Sequence, residues 1–430
     1  MLERILELRT HIFKGKLSED SKVTPRQMFY LLMTLGLIAS SIAFLLTNGQ
    51  SLRSVLFYRF DYFMDYFNSI YFSKFGPYVN FNVIYPGLIT VFYSIIGILL
   101  EYAGVGFDSA GEIRDSFAGI ASYAIITILF LALLIYVLLC TKQASRKEIF
   151  LFIILILTSY PMVYCLDRGN SMLMSVIFSL FFFIFYNSEK KGHKYLSFLF
   201  LSLAIATKMY PAFFGILILK DALKNKESKE LLSCILICAV IFIVPFFFTD
   251  GTVLDFVSNA TGYSEAVSMV GHVSLAGILE TTAHGFGMRN FSIGAFSLWI
   301  SLILMAVGAF VVLADKRAAY WETVSLLVCV QILSVGVAPP YVLLYMIIPA
   351  WYFLNDNSSE KNKTYLISLL LAATLVMVPG FLGLNAEHVS YMKAIAVLIL
   401  TAVLLYNASK RMVASDEGIE LDVPLDDRPL

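Results

Sequence analysis

Long apolar stretches alternate with short polar ones over most of this 430-residue chain. A hydrocarbon core about 30 Å thick needs about 20 apolar residues per helix, because each helical residue adds about 1.5 Å. Stretches near that length recur along the chain, which predicts a bundle of membrane-spanning helices. The candidate spans are 28–46, 84–102, 118–140, 149–166, 171–187, 195–220, 231–248, 293–313, 321–338, 341–354, 365–384 and 392–408.

This pattern predicts an all-α polytopic membrane protein with about 12 transmembrane helices, within a range of roughly 11 to 14. Residues 28–408 form its single membrane domain. Residues 1–27 are predicted to be a cytoplasmic, amphipathic N-terminal segment, and residues 409–430 an acidic cytoplasmic tail. Two long polar stretches, 47–83 (the first polar segment) and 249–292 (the second polar segment), are predicted to be external loops.

The distribution of Lys and Arg predicts the orientation, since cytoplasmic loops are rich in both. Twelve crossings place most basic loops and both termini inside, but they leave the basic loops around Arg146 and Lys190 outside. An alternative topology places both of these basic loops inside. It has one crossing more or fewer within 84–140 and a helical hairpin at 195–220, and it moves Arg168 and Lys208 to the outer side. The sequence leaves the topology of 84–220 open, and both versions keep the two polar segments external.

Composition agrees with a membrane protein, because 59% of the residues are hydrophobic and only 14% are charged, with a mean hydropathy of +0.79. Soluble domains carry about 25% charged residues. The net charge is zero, so no nucleic-acid partner is indicated. The five cysteines all lie in apolar stretches without a CxxC pair, so they do not indicate a metal site.

Two carboxylates four residues apart, Asp61 and Asp65, follow the first apolar stretch in the sequence FDYFMDYFN. Four residues is about one helical turn, so on a helix both side chains would share a face. Acids at a membrane surface among aromatic residues indicate proton chemistry on a substrate that arrives there. Two solvated acids on an interfacial helix fit the spacing equally well.

Lys208 is the clearest charge inside an apolar stretch, and Pro211 interrupts the helix just after it. Buried charge in a membrane is costly, and an ammonium at a helix break suits a phosphate. The alternative is a lysine that extends to the membrane surface from the end of a short helix. Arg168, in the turn Asp-Arg-Gly-Asn that ends at Asn170, could bind a phosphate bidentately or simply pair with Asp167.

The second polar segment contributes His272, His284 and Arg289. The two histidines are candidate acid/base or hydrogen-bonding groups, and Arg289 is a third candidate cation for a phosphate. A histidine in a loop is more often merely solvated. The chain has no nucleotide-binding motif and no long soluble segment that could hold one. A transferase of this kind would therefore take its group from a lipid and not from a soluble nucleotide sugar.

Three motifs together resemble bacterial GT-C glycosyltransferases of family 87, once labelled DUF2029. The first runs from Met64-Asp65-Tyr66-Phe67-Asn68 to Ile84-Tyr85-Pro86, the second is Asp167-Arg168-Gly169-Asn170, and the third is Ala206-Thr207-Lys208-Met209-Tyr210-Pro211. Their order and spacing resemble the family over about residues 55–250. One departure is Gly87, which stands where the family usually has a second proline.

The resemblance implies a GT-C fold and an inverting enzyme that takes a hexose, most often mannose, from a polyprenyl-phosphate carrier. The acceptor would be an envelope glycan or glycolipid on the outer face of the cytoplasmic membrane. Asp65 is the expected general base, with Asp61 second, and Lys208, Arg168 and Arg289 are expected to bind the donor phosphate. The residues expected to contact substrate are Tyr66, Asn68, Tyr85, Asn170, Tyr210, His272 and His284.

Two other classes of function also fit the sequence. A transporter or flippase for a lipid-linked sugar would use broken helices and buried charges as well, although no inverted repeat is visible. A non-catalytic membrane partner in an envelope-assembly complex would tolerate replacement of the two aspartates and of Lys208. The paired acids could hold Mg²⁺ or Mn²⁺, but no third ligand is evident, so no metal site is predicted.

Overall fold

The structure is a computed structural model, and it describes residues 23–56, 61–140, 145–188, 190–226, 228–356, 365–380 and 384–416. These residues form α-helices and short 3-10 helices and no β-strand. The first nine α-helices are α1 (Pro25–Leu46), α2 (Met64–Lys74), α3 (Gly87–Tyr102), α4 (Ala110–Asp115), α5 (Phe117–Leu139), α6 (Arg146–Leu157), α7 (Tyr160–Arg168), α8 (Met172–Tyr186) and α9 (Lys191–Thr207). The others are α10 (Gly215–Asn225), α11 (Ser228–Ile243), α12 (Val253–Ala266), α13 (Leu275–Gly285), α14 (Gly294–Ala314), α15 (Tyr320–Ser334), α16 (Ile347–Asn355), α17 (Tyr365–Leu375) and α18 (Ala386–Asp416). The 3-10 helices are Gln50–Ser54, Tyr210–Phe214, Val244–Phe248 and Pro340–Met346.

Local sequence accounts for where several helices begin. Thr24 caps α1 in a capping box with Gln27, and Pro25 fills the first helical position. Ser145 with Glu148 and Thr252 with Asp255 form the same box at the starts of α6 and α12. These caps satisfy backbone N–H groups that a helix start leaves without a partner.

Within the described residues, five helices are long and apolar enough to cross a membrane, and α6 with α7 makes a sixth if the pair, bent by 49°, is one span. They include α1, α5, α11 and α14, which are only 17–28% buried. Exposed side chains on them include Leu46, Ile128 and Phe310, with exposures of 80%, 65% and 66%. Soluble proteins rarely expose that much contiguous apolar surface. These helices therefore indicate an α-helical, multi-pass membrane protein. The predicted count of twelve spans stays a prediction.

The core of the bundle is formed by shorter apolar helices. From Trp321 to Ser334 every residue of α15 is buried, and so is all of α16. Most of α8 is buried as well. Helices that are apolar on all sides belong at the centre of such a bundle, whereas the long helices surround them and keep one face outward.

A buried ion-pair cluster closes one end of the bundle, which we call the Arg411 end. Arg411 of α18 pairs with Asp315 at 2.9 Å and with Glu322 at 2.8 Å. Lys220 of α10 donates to the Asp315 carbonyl at 3.0 Å. Lys393 lies 18 residues before Arg411 on α18 and packs over Tyr160 of α7. Because a helix rises about 1.5 Å per residue, Lys393 and Arg411 are about 27 Å apart along α18.

At the opposite end, which we call the Arg168 end, the contacts favour the alternative topology between residues 84 and 170. Arg168 pairs with Asp61 of the first polar segment, although twelve uninterrupted spans would place the two on opposite sides. Helix α3 returns to the same segment, because Glu101 at its end pairs with Lys74 of α2 at 2.7 Å. These contacts agree with the alternative topology, in which 84–102 is not a simple span.

Other boundaries also differ from the predictions. Both polar segments contain helices, with α2 in the first and α12 and α13 in the second. The last helix begins at Ala386 and continues to Asp416, so it includes the start of the predicted 409–430 tail. Residues 417–430 of that tail, and residues 1–22 of the predicted 1–27 segment, lie outside the described residues.

The Arg411 cluster yields a stability prediction. Replacing Arg411 by Met leaves Asp315 and Glu322, which are 3% and 8% exposed, without their cation. Breaking a buried pair in this way costs about 3–5 kcal/mol, so we expect a large fall in the midpoint of thermal unfolding in detergent. Lys410→Met is the matched control, because Lys410 is exposed and contacts only the ring of Tyr406 among the described residues. Equal effects of the two substitutions would contradict this role.

Candidate active site

Asp61 and Asp65 meet on one guanidinium. Arg168 at the end of α7 donates one terminal nitrogen, Nη1, to Asp61 and the other, Nη2, to Asp65, the second at 2.6 Å. The side chains of Asp65 and Arg168 are 15% and 19% exposed, and that of Asp61 is 38% exposed. Charge-assisted bonds of this kind fix geometry as well as supply energy. Arg168 therefore holds two carboxylates more than 100 residues away in sequence.

Only one of the two aspartates lies on a helix, although their spacing would let both share one helical face. Helix α2 begins at Met64, so Asp65 is in its first turn and Asp61 precedes it. Between them Phe63 adopts a left-handed backbone with φ of 60°, which turns the chain into the helix. The N–H of Phe63 donates to the Asp167 carbonyl at 2.6 Å. The two acids converge because this turn packs against the end of α7, and not because of helical spacing.

Asn170 makes a second hydrogen bond to the carboxylate of Asp65. Its Nδ2 donates to Asp65 Oδ2 at 2.7 Å, and its Oδ1 accepts from the N–H of Met172 at 3.0 Å. Asn170 is 7% exposed. Each oxygen of Asp65 thus has one donor, and each keeps a further lone pair for a substrate proton.

Gly169 allows this close approach. It ends α7 with φ of 67°, a conformation that favours glycine. A Cβ at this position would lie 2.9 Å from the Tyr66 Cβ and 3.0 Å from the Phe63 carbonyl oxygen. The Arg-Gly-Asn turn and the Phe63 turn therefore fit together only because residue 169 has no side chain.

Tyr66 follows Asp65 on α2, and its side chain is buried. It is 2% exposed, its hydroxyl donates to Ser122 at 3.1 Å, and its ring packs edge-on against Tyr93 and Tyr123. This buried position differs from the predicted contact with substrate. Asn68 lies one turn after Asp65 on α2 and is half-buried.

Lys208 lies on the same side as Asp65. It ends α9 in an extended conformation, is 6% exposed, and interacts electrostatically with Asp65. Its ammonium lies 3.9 Å from the ring centre of Tyr85 and 5.9 Å from that of Tyr341. Cation–π contacts of this kind stabilise a desolvated charge by about 2 kcal/mol. The site therefore holds a buried cation beside the carboxylate that Arg168 positions.

Four tyrosines are connected around this site. Tyr85, which a sequence motif predicts, and Tyr341, which no motif predicts, pack against the ammonium of Lys208. Tyr210, also predicted, and Tyr263, not predicted, interact electrostatically with Tyr85. Tyr263 interacts electrostatically with Asp65 and with Arg168. Burial raises the pKa of Tyr263, and the nearby charge of Asp65 adds to that effect.

The second polar segment docks onto the first. Both carboxylate oxygens of Asp250 accept from the first segment, from the N–H groups of Tyr78 and Val79, each at 3.1 Å. Asn259 of α12 donates to the Tyr78 carbonyl at 3.0 Å. Phe256 of α12 is 2% exposed in a small core with Tyr78. These contacts dock α12 onto the first polar segment around Tyr78.

His272 is fixed near the site but is not shown to touch the aspartates. The next residue, Val273, donates its N–H to the Ala338 carbonyl at 2.7 Å, just before Tyr341 in sequence. The Nδ1 of His272 is buried and has no hydrogen-bond partner among the described residues. Burial lowers the pKa of His272 to about 4, although the charge of Glu280 acts in the opposite direction.

The remaining two candidates lie farther out. His284 bonds through Nε2 to the Phe291 carbonyl at 3.0 Å. Arg289 is exposed in the turn between α13 and α14, and within the described part of the chain it makes no ion pair with either aspartate. The structure thus brings together Asp61, Asp65, Arg168, Asn170 and Lys208, but not Arg289.

Arg168 also differs from its predicted role. Both of its terminal nitrogens are already bound by carboxylates, so its placement fits a positioning role better than direct phosphate binding. Over the described residues, no three His, Cys, Asp or Glu side chains group in a way that could hold a metal ion. The arrangement can accept a proton at Asp65 and stabilise an anion at Lys208.

Sequence reasoning missed Tyr341 and Tyr263. Tyr341 follows Pro339 and Pro340, which together indicate a turn. A turn by itself gives no reason to assign the next residue to a site. Tyr263 follows Phe256 and Asn259 at helical spacing on α12, but a single sequence does not show which face of an external helix turns inward.

Comparison with known proteins gives one match. The family model for Glycosyltransferase family 87 matches residues 112–339, which is more than half of the chain. The matched part contains Arg168, Asn170 and Lys208, whereas Asp61 and Asp65 precede it. No curated protein and no solved structure matches the chain.

Gly169→Ala tests the turn that joins the two halves of the site. A side chain there meets Tyr66 and Phe63 and forces a left-handed conformation, so we expect a loss of about 1–3 kcal/mol of stability. Thermal unfolding in detergent measures it. Gly192→Ala is the control, because no atom lies within 4 Å of a Cβ at that position on α9 and Ala favours a helix. An unchanged midpoint for Gly169→Ala would show that the turn tolerates a side chain.

His272 predicts a pH effect. Its pKa is about 4 in the folded protein and about 6.5 when unfolded, so only the unfolded state takes up the proton between those values. Stability should therefore be complete above pH 6.5 and fall by about 3 kcal/mol as the pH drops to about 4. His272→Gln should reduce this fall relative to wild type, whereas His284→Gln should not. Identical pH profiles of unfolding for wild type and His272→Gln would contradict a buried, neutral His272.

Proposed function

The chain belongs to glycosyltransferase family 87, and we propose that it transfers a hexose from a polyprenyl-phosphate carrier to a glycan or glycolipid acceptor. Mannose is the sugar that the family resemblance favours. The proposed reaction inverts the anomeric carbon and takes place at the outer face of the cytoplasmic membrane. Its partners are membrane lipids, the lipid-linked donor and the acceptor, without a soluble nucleotide sugar.

One observation carries the proposal: Asp65 is held by Arg168 and Asn170 beside the buried ammonium of Lys208. A sugar transfer from a lipid phosphate needs a base for the acceptor and a cation for the leaving group. These two groups must face each other across the anomeric carbon. Asp65 and Lys208 could supply these two groups, because both are largely buried and interact electrostatically.

In the proposed reaction, Asp65 accepts the proton of the acceptor hydroxyl as its oxygen attacks the anomeric carbon. The bond between that carbon and the phosphate oxygen breaks, and the electron pair leaves with the phosphate. A single displacement of this kind inverts the configuration. Asp61 lies across Arg168 from the base and is more exposed than it, which suits contact with a sugar hydroxyl.

Lys208 stabilises the leaving phosphate. The phosphate gains one negative charge as the bond breaks, and an ammonium in a dry site stabilises that charge more strongly than water would. Tyr85 holds the ammonium from one side and leaves its N–H groups free to turn toward the phosphate. Arg168 acts on the reaction through the carboxylates it positions.

The orientation of the chain rests on its basic residues. Lys220 contacts the Asp315 segment at the Arg411 end, and Lys194 pairs with Glu230 where α9 and α11 begin. With α9 and α10 as a hairpin, the starts of α6 and α9 and the end of α14 all come to the Arg411 end. We therefore propose that the Arg411 end is cytoplasmic and the Arg168 end is external.

A transporter for lipid-linked sugars is the second candidate. The bend of 49° between α6 and α7 and the helix break after Lys208 are features that transporters also use around a substrate site. A transporter would move the donor across the membrane and leave its phosphate–sugar bond intact. The two functions therefore differ in whether the donor is consumed.

The test is hexose transfer by the purified protein from synthetic polyprenyl-phosphate mannose. Asp65→Asn removes the base and keeps the shape, so we expect the rate to fall by about 100- to 10,000-fold. Asp61→Asn should cause a smaller loss. Asp108→Asn is the control, because Asp108 is exposed in the loop between α3 and α4.

Each outcome has a clear reading. Loss of transfer with Asp65→Asn alone establishes the base, and equal rates for all variants would show that the assignment of Asp65 is wrong. If the wild type consumes no carrier-linked mannose, glucose or galactose, the transferase proposal fails. Movement of intact donor across vesicles that contain the protein would then support a transporter.

A further inference from the structure

Helix α12 of the second polar segment carries one tyrosine over the site. Tyr263 interacts electrostatically with Asp65 and Arg168, and also with Tyr85 and Tyr210. No other helix of the second polar segment is shown to reach both members of the Asp65–Arg168 pair within the described residues. Tyr263 is therefore the residue of α12 that lies within electrostatic range of this pair.

The periodicity of α12 turns Tyr263 inward. Phe256, Asn259 and Tyr263 recur at spacings of three and four, so they share one face of the helix. Phe256 is 2% exposed and Asn259 bonds to the first polar segment, so that face is the docked one. Leu254 and Val257 lie on the other face and are 78% and 47% exposed.

Several contacts at its start also fix the position of α12. The Thr252–Asp255 capping box fixes its start, and Asp250 binds two backbone N–H groups of the first polar segment just before it. Gly251 packs so closely on Tyr78 that a Cβ there would lie 2.5 Å from the Tyr78 Cβ. A helix held at these points presents Tyr263 in a defined position.

Tyr263 differs from the other tyrosines of the site in its exposure. Tyr85, Tyr210 and Tyr341 are half-buried around Lys208, whereas Tyr263 is 43% exposed. It therefore has surface available for a ligand, on the helix face that docks onto the first polar segment. We propose that Tyr263 is a sugar-contacting residue that closes the outer wall of the donor-sugar pocket.

Its chemistry suits a sugar better than a phosphate. An aromatic ring packs against the apolar face of a hexose, and the hydroxyl can exchange a hydrogen bond with a sugar hydroxyl. A neutral tyrosine offers little to an anion, and the anion has Lys208. This inference rests on the proposed function, since it assigns Tyr263 to the sugar half of a lipid-phosphate sugar.

The experiment compares two ligands that differ only in the sugar, polyprenyl-phosphate mannose and bare polyprenyl phosphate. Binding of each to the purified full-length protein in detergent is measured by titration calorimetry. Tyr263→Ala should weaken binding of the mannose ligand by about five- to tenfold and leave the bare phosphate unchanged. Tyr263→Phe, which removes only the hydroxyl, should weaken the mannose ligand less. Lys208→Gln should weaken both ligands.

Tyr102→Ala is the matched control, because Tyr102 is an 87% exposed tyrosine at the end of α3. Equal weakening of both ligands by Tyr263→Ala, or no weakening of either, would overturn the inference and leave the proposed function standing. A wild type that binds neither ligand and transfers no sugar would overturn the proposed function, and this inference with it. Thermal unfolding of each variant checks that α12 remains docked.

Discussion

Arg168 pairs with Asp61 and Asp65 at once, and the rest of the site depends on these two ion pairs. Each carboxylate repels the other, and a guanidinium largely inside the protein would be costly without anions. Together they are mutually stabilised, and they bind the first polar segment to the end of α7. Gly169 and Asn170 follow in the same turn, one to allow the approach and the other to fix the second oxygen of Asp65. Three consecutive residues thus position one carboxylate.

This constraint also decides the path of the chain. The first polar segment, the end of α7 and the end of α9 meet at one end of the bundle. This arrangement favours the alternative topology, in which α3 is not a simple span and the chain reverses around Lys208. The pairing of Glu101 with Lys74 shows how α3 returns. Reversal at Lys208 follows from its extended backbone and from Pro211, which prevents α9 from continuing.

The sequence was enough to choose candidate residues, but it did not predict the geometry that joins them. Asp65, Lys208 and the Asp-Arg-Gly-Asn turn could be identified because charged residues and glycine are rare in apolar stretches, and their order matched a family. That Arg168 binds both acids could not be predicted, since it depends on contacts over 100 residues apart and on the left-handed turn at Phe63. Hydropathy placed a span at 84–102 because the buried face of α3 is as apolar as a membrane helix. Tyr263 was missed because its role depends on how α12 docks.

The charges of the site explain why the acids and Lys208 belong together. Before a donor binds, Asp61 and Asp65 balance Arg168 and Lys208. In the proposed reaction the protonation of Asp65 removes a negative charge from beside Arg168, while the leaving phosphate gains one beside Lys208. One negative charge therefore moves across the sugar, and the buried site keeps its net charge throughout the step. A site with the base but without Lys208 would have to create an unpaired anion in a medium of low dielectric constant, where such a charge is most costly.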